Sequence, residues 1–479
     1  MEDPADLGRS LPSGFGDREH HMTDLRPRPP VDQDASGVPS LCGEEIVDAV
    51  MEGDRTFKRG TAAAALRYPA FRRVYIGWLA SNVGSWMQNV VLTAWAYELT
   101  KSATFVSIVL FAQLGPLLLF SLVGGALADR FDRKRLITMA CAEQALAAFG
   151  LAWIATSPEP SQPGIVFFVF AIGMGQALIG PTFSSVLPTL VDKPDLPGAV
   201  SLVSVNMNGS RVLGAAIGPF VYSHFGVPWV FSANAVTYGF IVVAILTVTI
   251  TNAVRDPSGP SGLKQMVAGF TVARHDRVVG RVLLTCAAFS FFCLIWIGQM
   301  PTMAERNLGI TPKSAQYGNL YALFGFGALL GALSVGTVFA GRNLNTLVKI
   351  HLGGFTMMLA VLATLRSPEI AFLAIWVLGY FYFVVITGLS TLLQKQLDEK
   401  TRGRVMALWI MAFGGTVPLG NLFFGPIIEL TSITAVLFVG VGVAAFLTWW
   451  ADYRTPEEIA GGPALPDATL GTIPTVRTS

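Results

Sequence analysis

Charge is scarce in this sequence. Of its 479 residues only 13% are Asp, Glu, Lys or Arg, while 52% are hydrophobic. Soluble domains carry about 25% charged residues. A chain this long and this apolar reads as a multi-span membrane protein rather than a water-soluble enzyme. The net charge of +2 gives no electrostatic footprint for nucleic acid. Cysteine is nearly absent: Cys42, Cys141, Cys286 and Cys293 form no CxxC pair, and three of them sit inside apolar runs. Neither a disulfide framework nor a zinc site is indicated. The five histidines are scattered, so no metal or cofactor is expected. There is no Walker A sequence, nucleophile elbow or pair of catalytic carboxylates, and no enzyme activity is expected.

Long apolar runs are plentiful. From Phe71 onward twelve stretches meet the requirement of about 20 apolar residues for a spanning helix. They are 71–97, 103–127, 136–156, 164–185, 199–222, 228–250, 280–304, 314–339, 345–366, 369–393, 404–430 and 432–451. Turn chemistry separates them, as in SPEPSQPG at 157–164. Period-two alternation is missing, which excludes a β-barrel. The expected fold is an all-α membrane protein of twelve spans in two six-helix repeats. Its parts are a polar, disordered tail at 1–65 with a short helix near Glu44, a first bundle at 66–251, a polar central loop at 252–279, a second bundle at 280–452 and a disordered tail at 453–479. The tail at 1–65 does not read as a signal peptide.

Lys and Arg crowd one set of loops, as at Arg72, Arg73, Arg274, Arg277, Arg281, Arg402 and Arg404. The opposite side holds only Lys101, Arg306, Lys313 and Arg366. By the positive-inside rule both termini are expected in the cytoplasm, with the body in the cell membrane. The densest cluster, Gly124-Gly-Ala-Leu-Ala-Asp-Arg-Phe-Asp-Arg-Lys-Arg135, cannot lie in hydrocarbon. It is expected as a tight cytoplasmic loop between spans two and three. The halves also repeat. Gly214 aligns with Gly420, Gly218–Pro219 with Gly425–Pro426, and Gly124 and Arg130 with Gly336 and Arg342. Such a parallel repeat is the architecture of transporters with a central site between halves.

The loop Gly125-Ala-Leu-Ala-Asp129-Arg130-Phe-Asp-Arg133-Lys134-Arg135 resembles the signature GxLaDRxGRRR of the major facilitator superfamily, with Asp132 where Gly is commoner. More narrowly, residues 71–100, 187–202 and 392–408 are similar to the group of enterobactin, macrolide and multidrug exporters. The resemblance covers 67 to about 452. It implies a secondary-active efflux transporter for small amphiphilic molecules such as drugs or siderophores, coupled to protons, working in the lipid bilayer. Uptake, a lipid-handling role, and a transport-inactive sensor or scaffold stand as alternatives. The resemblance also implies that Asp129 and Arg130 gate the access states, while Gly125, Arg133, Lys134 and Arg135 shape or anchor the loop. The loop could equally serve topology alone.

Two buried charges are candidates for coupling. Arg211 lies twelve residues into span five, about 18 Å deep at 1.5 Å per residue, where a cation must face a cavity or a partner. Glu143, about 10 Å from the inner face, is the candidate partner. In Gly209–Pro219 the family's glycine-rich bend is expected at Gly214, Gly218 and Pro219, packing span five on the opposite half. This chain departs from that pattern: Gly214–Ala215 stands where Gly-Pro is usual, and the relay arginine of span four is missing from 164–185. The resemblance places spans one, four, seven and ten around the cavity. Its polar and aromatic candidates are Asn82, Trp86 and Asn89, then Gln176, Trp296, Tyr380, Thr387 and Gln394. Helix–helix packing is the competing role for each.

Overall fold

The computed structural model describes residues 59–130, 132–250 and 262–454. Side chains are described throughout these ranges except at 119–130, 181, 184–185, 262–268 and 399–400. Six helices form the first group: α1 Pro69–Thr100, α2 Ala103–Arg130, α3 Arg133–Ile154, α4 Gln162–Val186, α5 Leu196–Phe225 and α6 Val227–Leu246. A connecting helix follows, α7 Gly262–His275. The second group holds α8 Arg277–Ala288, α9 Met300–Leu308, α10 Ala315–Gly336, α11 Leu344–Thr364, α12 Pro368–Lys395, α13 Glu399–Ile410, α14 Thr416–Leu430 and α15 Ile433–Trp450. The architecture is all-α. Among the described residues, eight helical stretches are long and apolar enough to cross a membrane.

Local chemistry starts and stops these helices. The side chains of Asp132, Ser161, Asp276, Ser314, Asn343 and Ser432 accept hydrogen bonds from backbone N–H groups three residues on, satisfying donors that a helix start leaves open. Outward faces carry Trp153, Phe167, Leu430 and Trp449, each more than half exposed. Apolar surface of this extent is the face a helix bundle turns to lipid.

Long-range bonds give the bundle two ends. At the proximal end, where the described chain begins and stops, Arg73 Nη1 donates to Thr247 O (3.0 Å) and Lys134 Nζ to Leu246 O (2.8 Å) and Val248 O (3.0 Å). There too, Arg281 Nη1 donates to Asp452 O (2.9 Å). At the distal end lie Lys101, Glu305, Arg306 and Glu429.

The repeat is visible in packing. A methyl group on Gly214 of α5 would lie 2.6 Å from Trp86 Cβ of α1, and one on Gly420 of α14 would lie 2.1 Å from Phe291 O, in the matching helix of the second group. Glycine is needed at both because the backbones touch. Gly214→Val should therefore reduce folded, monodisperse protein severalfold, since overpacking costs about 1–3 kcal/mol; size-exclusion chromatography of a fluorescent fusion measures it.

Several expectations are corrected. The charged cluster is not a loop over its whole length, because α2 continues as helix through Arg130. The central segment is not simply a polar loop, because it contains α7, whose Gly269 packs on Arg404 O of α13. One expected span, 280–304, is broken, and another, 404–430, carries a π-turn within one continuous helical stretch, Thr401–Leu430. Between α8 and α9 the chain makes a wide π-turn at Phe289–Cys293, and between α13 and α14 another at Met411–Gly415. The tails are ordered at their inner ends. Gly60 N donates to Asp195 Oδ1 (2.8 Å), and Ala62–Ala65 forms one helical turn. The Tyr68 hydroxyl donates to Asp195 and Asp192, and its pKa is pushed up to about 12, first by burial and then by those bonds. Tyr453 is buried and donates to Thr285 Oγ1 at 3.1 Å. The helix expected near Glu44 lies outside the described residues.

Candidate functional site

Two elements face each other where the groups meet. On α5, Ser201, Ser204, Asn208 and Arg211 recur at helical spacing; the two serines are exposed, Asn208 and Arg211 half-buried. Arg211 ends this stripe. Its guanidinium carbon lies over the ring of Trp86 at 4.6 Å and over that of Phe383 of α12 at 5.0 Å. One ring therefore comes from each group of helices. Such stacking is worth about 0.5–2 kcal/mol for a cation. Among the described residues no carboxylate lies within ion-pair distance of Arg211, and its Nε is buried without a hydrogen-bond partner.

Around it the sequence candidates divide. Asn82 Nδ2 donates to Asn206 Oδ1 (2.8 Å), which also accepts from Ser210 (3.1 Å), so Asn82 is engaged in the α1–α5 seam. Asn89 accepts from Gln113 of α2. Gln176 and Gln394 are exposed, and Thr387 is half-buried. Trp296 is wholly buried, edge-on to Phe324, and lies in the core rather than on a cavity wall. The Tyr380 ring lies 6.0 Å from His351 and packs against the cluster of Val335, Leu347 and Val384, inside the second group. The ring that reaches Arg211 is Phe383, one turn further on.

Glu143 is not brought to Arg211. It sits in a groove lined by Met139, Leu146, Phe167 and Phe168, between α3 and α4. A methyl on Gly175 would lie 2.3 Å from its Oε2. The hinge glycines are also reassigned. Gly214 and Gly218 pack on α1, within the first group, and it is Pro219 that meets the second group, at Gly318 of α10. In the signature segment, Lys134 ties α3 to the end of α6, and Asp132 caps α3 through Arg135 N (2.8 Å). The side chains of Asp129 and Arg130 lie outside the described residues, and for Gly125 only its helical backbone is described.

Sequence reasoning missed the distal junction. Glu429 of α14 accepts from Arg306 Nη2 of α9 (2.9 Å) and from the backbone N–H of Ala103 that starts α2. Arg306 also donates to Tyr97 Oη (3.2 Å) and Lys101 O (3.3 Å), and Lys101 Nζ pairs with Glu305 (2.8 Å). One layer deeper, Gln299 Nε2 donates to Ala103 O (2.9 Å) and Ser107 Oγ (2.8 Å). A methyl on Gly425 would lie 2.3 Å from that same Ser107 Oγ. The junction therefore stitches one group to the other on the distal side of Arg211. On the proximal side, a methyl on Gly209 would meet nothing within 4 Å. Arg306 and Glu429 were legible only as charges at span ends.

A family model described as transmembrane secretion effector matches residues 60–458. The chain is 25% identical over 348 residues to the staphyloferrin A transporter of Staphylococcus aureus, covering 71% of this chain and 85% of that protein. It is 26% identical over 363 residues to the enterobactin exporter EntS of Escherichia coli O81, covering 71% and 81%. Among solved structures, the nucleoside transporter NupG superposes with a TM-score of 0.65 at 12% identity, over 80% of this chain and 98% of NupG. A bacterial homologue of the iron transporter ferroportin in an inward-facing state gives 0.62 at 12% identity, over 79% and 97%.

Proposed function

Because the chain belongs to the transmembrane secretion effector family of the major facilitator superfamily, we propose that this membrane transporter is a proton-motive exporter of amphiphilic organic molecules of the siderophore or drug type. It works by alternating access around Arg211. Twelve spans carry it, with α8–α9 and α13–α14 each counted as one span, and both termini are cytoplasmic. The observation that carries this reading is the asymmetry about Arg211. Its distal side is closed by bonds between the two groups of helices, and its proximal side presents the polar stripe of α5. With the proximal end in the cytoplasm, this is a carrier waiting for cargo from inside. The name of one relative, the enterobactin exporter EntS, supports outward transport.

The π-turns in two spans support a moving element. A π-turn frees backbone groups from the helical ladder and lets a helix bend. The turn at Met411–Gly415 lies at the junction with the first group, packed with α14 along α2, and the first π-turn leads within its own span to Gln299, which bonds α2. Asp129 and Arg130 are assigned the proximal gate, where a carboxylate close to a helix start forms a switchable contact.

The test is dye accumulation in inverted membrane vesicles with an imposed proton gradient. Wild-type protein should accumulate amphiphilic dye and lose the accumulation when a protonophore collapses the gradient. Asp129→Asn should reach the membrane in normal amount and retain less than about a tenth of that activity, as loss of one charged gating contact worth about 1.5–3 kcal/mol implies. Unchanged accumulation in Asp129→Asn would remove the gate assignment, and gradient-independent accumulation would remove the coupling.

A further inference from the structure

We infer that the central site is built for organic anions, and that the cargo presents a carboxylate or similar flat oxyanion to Arg211 beside an aromatic or apolar body. The inference rests on the transport reading above and names its substrate class.

Three observations converge. First, Arg211 is a permanent cation, because guanidinium is not deprotonated in proteins. Its described surroundings offer ring faces but no counter-charge. The rings of Trp86 and Phe383 attract it without accepting a conventional hydrogen bond. Its N–H fork, which matches a carboxylate in two-point geometry, is therefore left for a ligand.

Second, the unmet group at the site is a donor. Arg211 Nε is buried and has no hydrogen-bond partner. Buried donors without partners are rare in folded proteins. A ligand rich in acceptors answers it.

Third, the one carboxylate expected to neutralise Arg211 does not. Glu143 faces the groove between α3 and α4. The acidic groups of the distal junction are engaged: Glu429 with Arg306 and Ala103 N, Glu305 with Lys101, and Glu98 with the Tyr222 hydroxyl. A cation with no counter-charge among the described residues, set between aromatic rings, concentrates anions and repels cations. Aromatic walls select ligands that bring a flat or apolar body with the charge.

The test uses two probes of one shape and opposite charge, 2-naphthoate and 2-naphthylmethylammonium, with the full-length protein in lipid nanodiscs and binding read by equilibrium dialysis. Wild-type protein should bind naphthoate at least tenfold more tightly than the ammonium. Arg211→Gln should weaken naphthoate tenfold or more and abolish the preference. Phe383→Glu keeps Arg211 but supplies it with an internal carboxylate, and should abolish the preference in the same way. Arg211→Lys should restore part of it.

Equal affinities, a preference for the ammonium, no naphthoate binding, or a preference that survives in folded Arg211→Gln and Phe383→Glu would each overturn the inference. Counterflow of the two probes in proteoliposomes separates this inference from the transport reading. Arg211-dependent binding of naphthoate without movement leaves the anion site standing and removes transport. Movement of both probes alike leaves transport standing and removes the anion site.

Discussion

Arg211→Ala should abolish transport while leaving the protein folded and in the membrane. The residue makes no ion pair among the described residues, so its removal orphans no buried carboxylate. The structural loss is its stacking on Trp86 and Phe383, about 0.5–2 kcal/mol. That is a fraction of the about 5–15 kcal/mol that holds a folded protein together. The functional loss is larger. A charge-assisted two-point contact to cargo is worth about 1.5–3 kcal/mol for each hydrogen bond, so turnover at low substrate should fall by about a hundredfold or more. Dye or naphthoate flux per folded molecule, normalised by size-exclusion chromatography, measures it. Arg211→Lys should keep the charge and lose the fork, and so fall between wild type and Arg211→Ala.

Glu429→Gln should release the distal end. Glu429 bonds both Arg306 and the start of α2, so it joins three helices with one carboxylate. Arg306 and Glu429 are each about one-third exposed at their side chains, 34% and 32%. Screening therefore keeps the ion pair itself near about 0–1 kcal/mol. The bond to a backbone N–H at a helix start adds to it, and together about 1.5–3 kcal/mol is at stake. An equilibrium between two access states moves about tenfold for every 1.4 kcal/mol, so this change is enough to make the distal-open state dominant. Thr302 reports on it. It is fully buried at the junction and donates to Gln299 Oε1. With the four native cysteines replaced by alanine, Thr302→Cys should react with an impermeant maleimide about tenfold faster or more in Glu429→Gln than in the parent. An unchanged rate would show that the junction packs through Gln299, Ser107 and Gly425 alone.

Much of this was legible in the sequence, for identifiable reasons. Apolar length set the helices, because an intramembrane backbone must satisfy its hydrogen bonds within each segment. Helical rise set the depth of Arg211, and its need for a cavity or partner followed from its charge. What sequence spacing leaves open is rotation about each helix axis. Tyr380 and Phe383 stand three residues apart, about 60° around the helix, and the choice between packing inward and facing Arg211 turns on that angle. Glu143 failed as a partner for the same reason: its azimuth points to the groove with Phe167 and Phe168. The π-turn at Phe289–Cys293 contains neither proline nor glycine, so no breaker marked it, while the one at Met411–Gly415 had Gly414–Gly415 as its only local sign. The Arg306–Glu429 pair joins residues 123 positions apart, beyond the reach of any local pattern. The helix α7 was hidden within a segment that composition marks as loop.

The central claim is that the two ends of one cavity open in alternation. Two spin-label pairs in the same protein test it most directly by double electron–electron resonance. One pair joins Leu99 and Leu430 across the distal end; the other joins Ser201 and Gln394 across the proximal end, and all four positions are exposed. In the parent the distal pair should be short and the proximal pair long. In Glu429→Gln the distal distance should lengthen and the proximal distance shorten together. A distal pair that lengthens while the proximal pair stays long would describe a pore open at both ends and would contradict alternating access.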